Sequence, residues 1–390
     1  MNFKKKFQRG LQGLNFGLPT GLPEIDKMTG GIQKEAIYAI GAAPKVGKTT
    51  FVDFCFLISP FLYYLEHSKD KNLDIEWIYF SFEISRVRKE FKLACFFMYY
   101  DYNITTFRHK DEVHHISPMY LEGKMRDNDN ELIPVSEEHQ KVVMEIYEKR
   151  LIPLFGEYDE NNNKIKDGLV QFVDVRDNPT GVRNYIGEYS AKNGKWVKQP
   201  YQVTERLPSG QMKQVTREKR VGWVPNNPDK FTIIITDHMR KLKDEKGFTK
   251  KQIVDKMSEY QVEFRDWCGF TFVDIIHLNR NMSDVQRMKF NAEYLYPTGD
   301  DIKETGNLSE DANYIFTLMN PNDEKFNINK HFGLEIKTPN SEEIYPNYRS
   351  VHLVESRETE CPVHFRSEML GNINLFRPLV EQSGQSYGFS

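Results

Sequence analysis

The sequence predicts an α/β fold built on a mostly parallel central sheet. Three observations carry that prediction. Short apolar runs alternate with helix-like segments along the chain, the pattern of parallel strands joined by crossover helices. One run, residues 36–40, leads into Ala42-Ala43-Pro44-Lys45-Val46-Gly47-Lys48-Thr49, and an apolar helix-like stretch begins at Thr50. A second, Phe231-Thr232-Ile233-Ile234-Ile235-Thr236, is continuous and ends at Asp237, as suits a central strand covered on both faces.

The elements follow in order. Residues 1–16 form a short basic lead containing Lys4, Lys5, Lys6 and Arg9. Gly17-Leu18-Pro19-Thr20-Gly21 is rich in turn residues, residues 22–28 read as a short helix, and Gly30-Gly31 ends it. The first core strand covers 36–41. The second covers 76–82 and ends at Glu83, after which Ser85 is placed to cap a helix running to about Tyr102. Ser136, Glu137 and Glu138 start another helix, to about Arg150. A strand over 169–173 leads to Asn178-Pro179, which opens a helix with proline in its first turn. The strand 231–236 is joined by a helix over 249–267 to a strand over 271–276. Further strands are expected at 314–319, 332–337, 350–354 and 364–365.

Two stretches break the alternation. Residues 156–168, with Asp159-Glu160-Asn161-Asn162-Asn163, read as a turn between two short polar strands. Residues 192–224 alternate in strand fashion around Pro208-Ser209-Gly210 and read as a β-hairpin. Both are expected to be surface insertions, near 151–168 and 190–228, within one domain spanning 17–378. Residues 379–390 are expected to be a flexible tail.

Composition bounds the classes. A chain of 390 residues, 39% hydrophobic and 28% charged, suits a globular protein with a core of useful size. The net charge of −3 supplies no global basic field, so contact with nucleic acid must use local patches. Cys55, Cys95, Cys268 and Cys361 are far apart with no C-x-x-C pair, which argues against a zinc site or a disulfide framework and fits a reducing cytoplasm. Residues 1–10 lack the apolar stretch of a signal peptide. The run 51–65 is too short to span a bilayer and contains Asp53 and Pro60, so it reads as a buried helix and no membrane partner is expected.

A strand, a tight loop and a helix in that order make a phosphate cradle, because loop and helix N–H groups point at the anion. The nucleotide-binding set is Ala42, Ala43, Pro44, Lys45, Val46, Gly47, Lys48, Thr49 and Thr50. Ala42 stands where the usual motif has glycine. Lys48 would neutralise phosphate charge and the Thr49 hydroxyl would ligate Mg²⁺. Hydrolysis also needs a carboxylate near the metal and a base that orients water. Asp237, at its strand end, is placed for the metal. Glu83, at the end of the strand that follows the phosphate-loop helix, can face the γ-phosphate, since strand C-termini line the ligand crevice of a parallel sheet. An acid starting a helix also complements the helix dipole, so the pattern alone leaves the role of Glu83 open.

Four separated segments together resemble the RecA-fold ATPase domain of DnaB-type replicative helicases. They are Gly17-Leu18-Pro19-Thr20-Gly21 with Ile25-Asp26 and Gly30-Gly31-Ile32; the phosphate loop; Phe80-Ser81-Phe82-Glu83-Ile84-Ser85; and a set running from His277-Leu278-Asn279-Arg280 through Asp301-Ile302-Lys303-Glu304-Thr305-Gly306 to Glu310-Asp311-Ala312-Asn313. The likeness covers most of residues 17–377 outside the insertions. It implies a RecA-like P-loop core with β-hairpin insertions, ATP and Mg²⁺ as cofactors, and Glu83 as catalytic base. It also implies His277 as the γ-phosphate sensor, where the family usually has Gln, and Arg357 as a finger on a neighbouring subunit's nucleotide. Glu355 reverses the charge of the family's lysine beside that arginine. Arg349, Arg366 and Arg377 are the candidates for a replacement cation.

The resemblance further implies single-stranded DNA as partner, a homo-oligomer of hexamer type, a primase or helicase loader as further partner, and an ATP-dependent helicase or translocase in replication. A heavily inserted version of the domain looks phage-encoded, which would put it in the host cytoplasm. Two loops are the candidate DNA contacts, Arg240, Lys241, Lys243 and Lys246 after Asp237, and Arg280, Arg287 and Lys289 after His277. The hairpin insertion carries eight Lys/Arg against two Asp/Glu over 192–220, with Trp196, Tyr201 and Trp223 nearby. DNA contact, partner docking and protection of the hairpin's own edges all remain open for it. A recombinase-like filament ATPase, a helicase loader and a nucleotide-binding structural protein are the rival functions on the same fold.

Overall fold

The computed structural model describes residues 3–13, 15–71, 73–206, 211–278, 292–302, 307–338 and 340–380. Helix α1 (Phe3–Leu11) precedes the core. Helix α2 (Pro23–Thr29) opens with proline and closes at Gly30, whose left-handed backbone at φ +70° lets its N–H bond back to Asp26. Strand β1 (Ile37–Ala42) is buried throughout. One long helical run follows the phosphate loop: α3 (Lys48–Val52), a π-helical stretch (Asp53–Ile58) and α4 (Ser59–Lys71).

Strand β2 (Ile75–Ser81) and helix α5 (Arg86–Tyr102) come next. Ser85 holds the N-cap position of α5 but makes no side-chain cap bond; the Asp174 carboxylate accepts the Arg86 N–H instead, at 3.2 Å. A subregion not read from the sequence then appears: hairpin β3 (Thr106–His109) and β4 (Glu112–His115), with α6 (Pro118–Leu121). Helix α7 (Glu137–Ile146) is capped by Ser136 and continues through a π-helical turn into α8 (Ile152–Phe155). A small pair, β5 (Glu157–Tyr158) and β6 (Lys164–Lys166), precedes β7 (Val170–Val173) and α9 (Pro179–Asn193).

Strands β8 (Gly194–Arg206) and β9 (Met212–Pro225) form a long two-stranded arm. Then come β10 (Phe231–Asp237), α10 (Lys250–Cys268) with its Thr249/Gln252 capping box, and β11 (Thr271–His277). The short helix Asn307–Asp311 leads to β12 (Tyr314–Met319). The strand expected over 332–337 is absent from the sheet; β13 (Lys330–His331) and β14 (Leu334–Glu335) make a separate two-residue pair there, turned by Phe332 and Gly333 at positive φ. Strands β15 (Tyr348–Ser356), β16 (Val363–Leu370) and β17 (Leu375–Pro378) finish the sheet.

The main sheet has nine strands among the described residues, in the order β17-β16-β15-β12-β1-β11-β10-β2-β7. Strands β12, β1, β11, β10, β2 and β7 run parallel, while β15, β16 and β17 alternate in direction at one side. Alternation along β1 builds two cores. Tyr38, Ile40 and Ala42 join Phe51, Phe56 and Phe97 from the helices on one face, and Ile37 and Ala39 join Ile186, Met257 and Phe264 from α9 and α10 on the other. No helix among the described residues is long and apolar enough to cross a membrane.

Candidate nucleotide site

Neighbours β1, β11, β10 and β2 end together. Ala42 lies level with His277, and Asp237 with Ser81, so the phosphate loop, His277, Asp237 and Glu83 come to one edge of the sheet. The loop itself needs glycine at Gly47. Its φ is +109°, and a Cβ there would lie 2.0 Å from Met369 Sδ. Arg349 supports the loop by donating from Nε to the Val46 carbonyl at 3.2 Å. This candidate replacement cation is therefore bound to its own chain's loop.

Lys48 is buried, and its Nζ donates to the carbonyls of Ala42 and Ala43 at 2.9 and 3.0 Å. Burial pulls its pKa down to about 8, opposed by Asp237 and Glu83. The Thr49 hydroxyl lies 3.2 and 3.4 Å from the two Asp237 carboxylate oxygens. Asp237 is 1% exposed. Burial raises its pKa to about 6; Lys89 opposes the rise, while Asp53 and Glu83 add to it. One hydroxyl and one carboxylate converging on a point suit Mg²⁺, which takes few protein oxygens and leaves positions for water and phosphate. Among the described residues no cluster of three or more His, Cys, Asp or Glu could hold a metal unaided.

Glu83 is exposed at the turn after β2. That turn is held by Phe82 N–H to the Asp237 carbonyl (2.6 Å), Ser81 Oγ to the Ile84 carbonyl (2.7 Å) and Arg176 Nε to the Phe82 carbonyl (2.9 Å). Lys241 Nζ, one of the candidate DNA contacts, lies 3.8 Å from Glu83 Oε1. His277 is half-buried, and its Nδ1 is buried with no hydrogen-bond partner among the described residues. Its ring centroid is 4.0 Å from that of His238. His238 was missed in the sequence, although it directly follows Asp237. Burial, then His277 and Lys48, push its pKa to about 3, so it stands beside His277 as a neutral ring.

A second unread group lies beneath. Asp53 and Lys89 are wholly buried, and Lys89 Nζ reaches both Asp53 oxygens and the Tyr79 hydroxyl at 2.8 Å each. The pair ties the helical run that Lys48 opens to the helix that follows Glu83.

Arg357 is elsewhere. Because β15 runs antiparallel to β12, its end lies at the opposite edge of the sheet; Ser356 pairs with Tyr314, whereas the level of Ala42 is that of Leu318 and Val351. Six residues of strand rise separate Arg357 from its own phosphate loop, roughly 20 Å. It is exposed and donates to the Glu310 carbonyl. With Lys251, Asn307, Ser309 and Glu355 it lines an open cleft of about 660 Å³. Arg366 bonds the Phe332 carbonyl and Arg377 pairs with Glu368. Arg240, Lys241, Lys243 and Lys246 are exposed on the loop after β10, while Arg280, Arg287 and Lys289 lie outside the described residues. Asp311 and Asn313, from the motif Glu310-Asp311-Ala312-Asn313, do structural work: Asn313 exchanges bonds with the Ile37 backbone at 2.8 and 2.9 Å, and Asp311 accepts from Ser258.

Comparison with known proteins agrees with this geometry. Residues 17–96 match the family model described as the DnaB-like helicase C terminal domain. The solved ATPase domain of a phage helicase is similar in structure, at 16% identity, a TM-score of 0.58 and 96% of each chain covered. A DnaB-like replicative helicase, described with its interactions with primase, is similar at 15% identity and a TM-score of 0.59, over 97% of this chain and 68% of that one. No curated protein matches the chain. The RecA-like fold and the resemblance to DnaB-type helicases read from the sequence are thus borne out, and together they support an ATPase of replicative-helicase type.

Proposed function

On the premise that residues 17–96 carry the DnaB-like helicase domain, we propose that the protein is an Mg²⁺-ATP-dependent DNA helicase that translocates on single-stranded DNA as a homo-oligomeric ring, of hexamer type, in replication. The observation that carries this reading is the convergence of Lys48, Thr49, Asp237, Glu83 and His277 at one sheet edge, with Thr49 already against Asp237. Backbone amides of the loop and Lys48 hold the triphosphate, and Thr49 with Asp237 holds the metal. Mg²⁺, when bound, offsets charge that develops on the phosphoryl oxygens. Glu83 orients the attacking water and takes its proton. His277 reads the γ-phosphate with the nitrogen that no protein group satisfies.

Arg357 serves the site of an adjacent copy, since it lies far from its own. Phe3, Phe7 and Leu11 recur one helical turn apart on α1 and are 84%, 57% and 74% exposed, which gives an adjacent copy an apolar stripe to cover. Arg240, Lys241, Lys243 and Lys246, with Arg280, Arg287 and Lys289, contact the DNA backbone, and a primase or loader is the further partner. Work on DNA in the cytoplasm, the host's if the chain is phage-encoded, follows from this reading. The test is ATP turnover with and without single-stranded DNA, alongside unwinding of a forked duplex. Turnover should rise with DNA, and Glu83→Gln should lower kcat about 10²- to 10⁴-fold while leaving nucleotide binding intact. Turnover indifferent to DNA, or unchanged in Glu83→Gln, would refute the assignment.

A further inference from the structure

The arm formed by β8 and β9 is the largest feature that the nucleotide chemistry does not use. Its base is well anchored. Trp196 Nε1 bonds Ser190 Oγ at 3.3 Å, Trp223 Nε1 bonds the Ser190 carbonyl at 3.1 Å, and Trp223 packs edge-on against Phe270. From Lys198 to Arg206 and from Met212 to Lys219, every side-chain hydrogen bond and ion pair among the described residues stays within the arm. The arm therefore extends roughly 30 Å beyond its tryptophan base, by strand rise. A two-stranded ribbon that packs on nothing gains little stability, so the fold itself does not account for it.

Its two faces differ. The register pairs Tyr201 with Arg217, Gln199 with Lys219, Val203 with Val215 and Glu205 with Lys213, so all of these share one face. That face carries Lys213, Arg217 and Lys219 on alternate positions of β9, with i,i+2 neighbours roughly 6.7 Å apart. Tyr201, 39% exposed, lies among them, and Lys219 Nζ is 6.0 Å from its ring centroid. Glu205 meets Arg217; Lys213 and Lys219 have no carboxylate partner among the described residues. The other face has Lys198 neutralised by Glu218 at 3.2 Å, with Gln202 and Thr216 between. Charges placed only to keep strand edges from pairing would not need to gather on one face around an exposed aromatic ring. A row of cations tracking a backbone beside an aromatic platform is the chemistry that holds unpaired nucleotides.

We propose that this face of the arm, Tyr201 with Lys213, Arg217 and Lys219, is a second contact for single-stranded nucleic acid, with Tyr201 stacking on a base and the three cations on phosphates. The arm leaves the sheet just before β10 begins, at the edge opposite Asp237 and the basic loop that follows it. It thus holds the strand at a point separate from that loop. The inference rests on the reading of the chain as a strand-tracking motor.

The experiment measures binding of the full chain, with a non-hydrolysable ATP analogue, to a labelled oligo(dT) strand and to a duplex of equal length, over a salt series. The triple variant Lys213→Gln/Arg217→Gln/Lys219→Gln should reduce the slope of log affinity against log salt by about 2, at about 0.7 per lost phosphate contact. Tyr201→Ala should weaken oligo(dT) binding about fivefold or more, leave the slope unchanged and leave duplex binding unaffected. Unaltered thermal midpoints establish that both variants fold. If the parent binds the strand and both variants bind it equally well, the arm belongs to a protein partner or to edge protection; the inference is overturned and the helicase reading stands. If the parent binds no strand, both fail together.

Discussion

Replacing Lys89 by methionine should be far more damaging than replacing Lys89 and Asp53 together. Both side chains are wholly buried, and the ammonium meets the carboxylate at 2.8 Å through both oxygens. Lys89→Met would leave the Asp53 carboxylate buried with only the Tyr79 hydroxyl at 2.9 Å and Asn374 Nδ2 at 3.4 Å as donors. Removing one partner of such a pair costs about 3–5 kcal/mol, because the uncompensated charge stays in a low-dielectric interior. Asp53→Leu with Lys89→Met removes both charges and refills the volume, which ranges from neutral to about 1–4 kcal/mol stabilising. The cycle should therefore show a coupling of at least about 3 kcal/mol. Denaturant midpoints at constant m-value measure it. A single-variant cost below about 1 kcal/mol, or additive effects in the double variant, would refute the reasoning.

The free enzyme's kcat/KM for ATP should be bell-shaped in pH. Asp237 must be ionised to hold metal and Lys48 protonated to hold phosphate, so the profile rises through about 6 and falls through about 8. An acid limb in the ordinary aspartate range would contradict the assigned role. His331 is fully buried between the Leu295 carbonyl and the Tyr348 hydroxyl, and burial lowers its pKa to about 4. Its folded value lies below the unfolded one, so its contribution is complete above about 6.5 and is lost as pH falls towards 4, with about 2 kcal/mol gone at pH 5. The pH-dependence of stability in His331→Gln should be correspondingly flatter. Gly47→Ala forces a side chain into a left-handed backbone against Met369, and fluorescent-nucleotide titration should show at least a tenfold loss of affinity. Arg357→Ala should abolish turnover, and mixing its copies with inactive Glu83→Gln copies should restore part of it, since mixed interfaces contain one intact Glu83 and one intact Arg357.

The parallel sheet was legible because its strands are buried on both faces and leave unbroken apolar runs, as at 231–236. The phosphate loop, Asp237 and Glu83 were legible because catalytic groups of such sheets gather at strand C-termini. Other features depend on contacts that periodicity does not encode. Lys89 reads as one more charge in the basic start of α5, and only the packed structure shows that it lies against Asp53. Asp26 and Asn313 are family-motif residues that the structure uses for backbone anchoring: Asp26 accepts from Thr20 N–H at 2.9 Å, and Asn313 pins the start of β1. The segment 332–337 has the β-branched and aromatic content of a strand, yet positive φ at Phe332 and Gly333 turns it away from the sheet. The long span between α5 and β7 was thinly read because β3 and β4 are short and mostly exposed, so little apolar alternation marks them.

Strand direction decides which copy Arg357 can serve. Six parallel strands bring every residue of the cleavage chemistry to one edge, and a seventh parallel strand would have brought Arg357 there too. Instead β15 folds back against β12, so the chain reaches Arg357 only after crossing to the other edge. Under the proposed function, one polypeptide then presents the pocket at one end of its sheet and the residue that completes a pocket at the other. Neither end is sufficient alone, and a head-to-tail contact between copies satisfies both at once. Such a contact is heterologous, so it closes into a ring or runs on as a filament according to the rotation between copies. The face of Glu355, whose carboxylate crowds Gly299 beside the Arg357 cleft, is therefore where this chain's rotation is set. Glu355→Lys should change the assembly seen in micrographs before it changes the folded stability of a single copy.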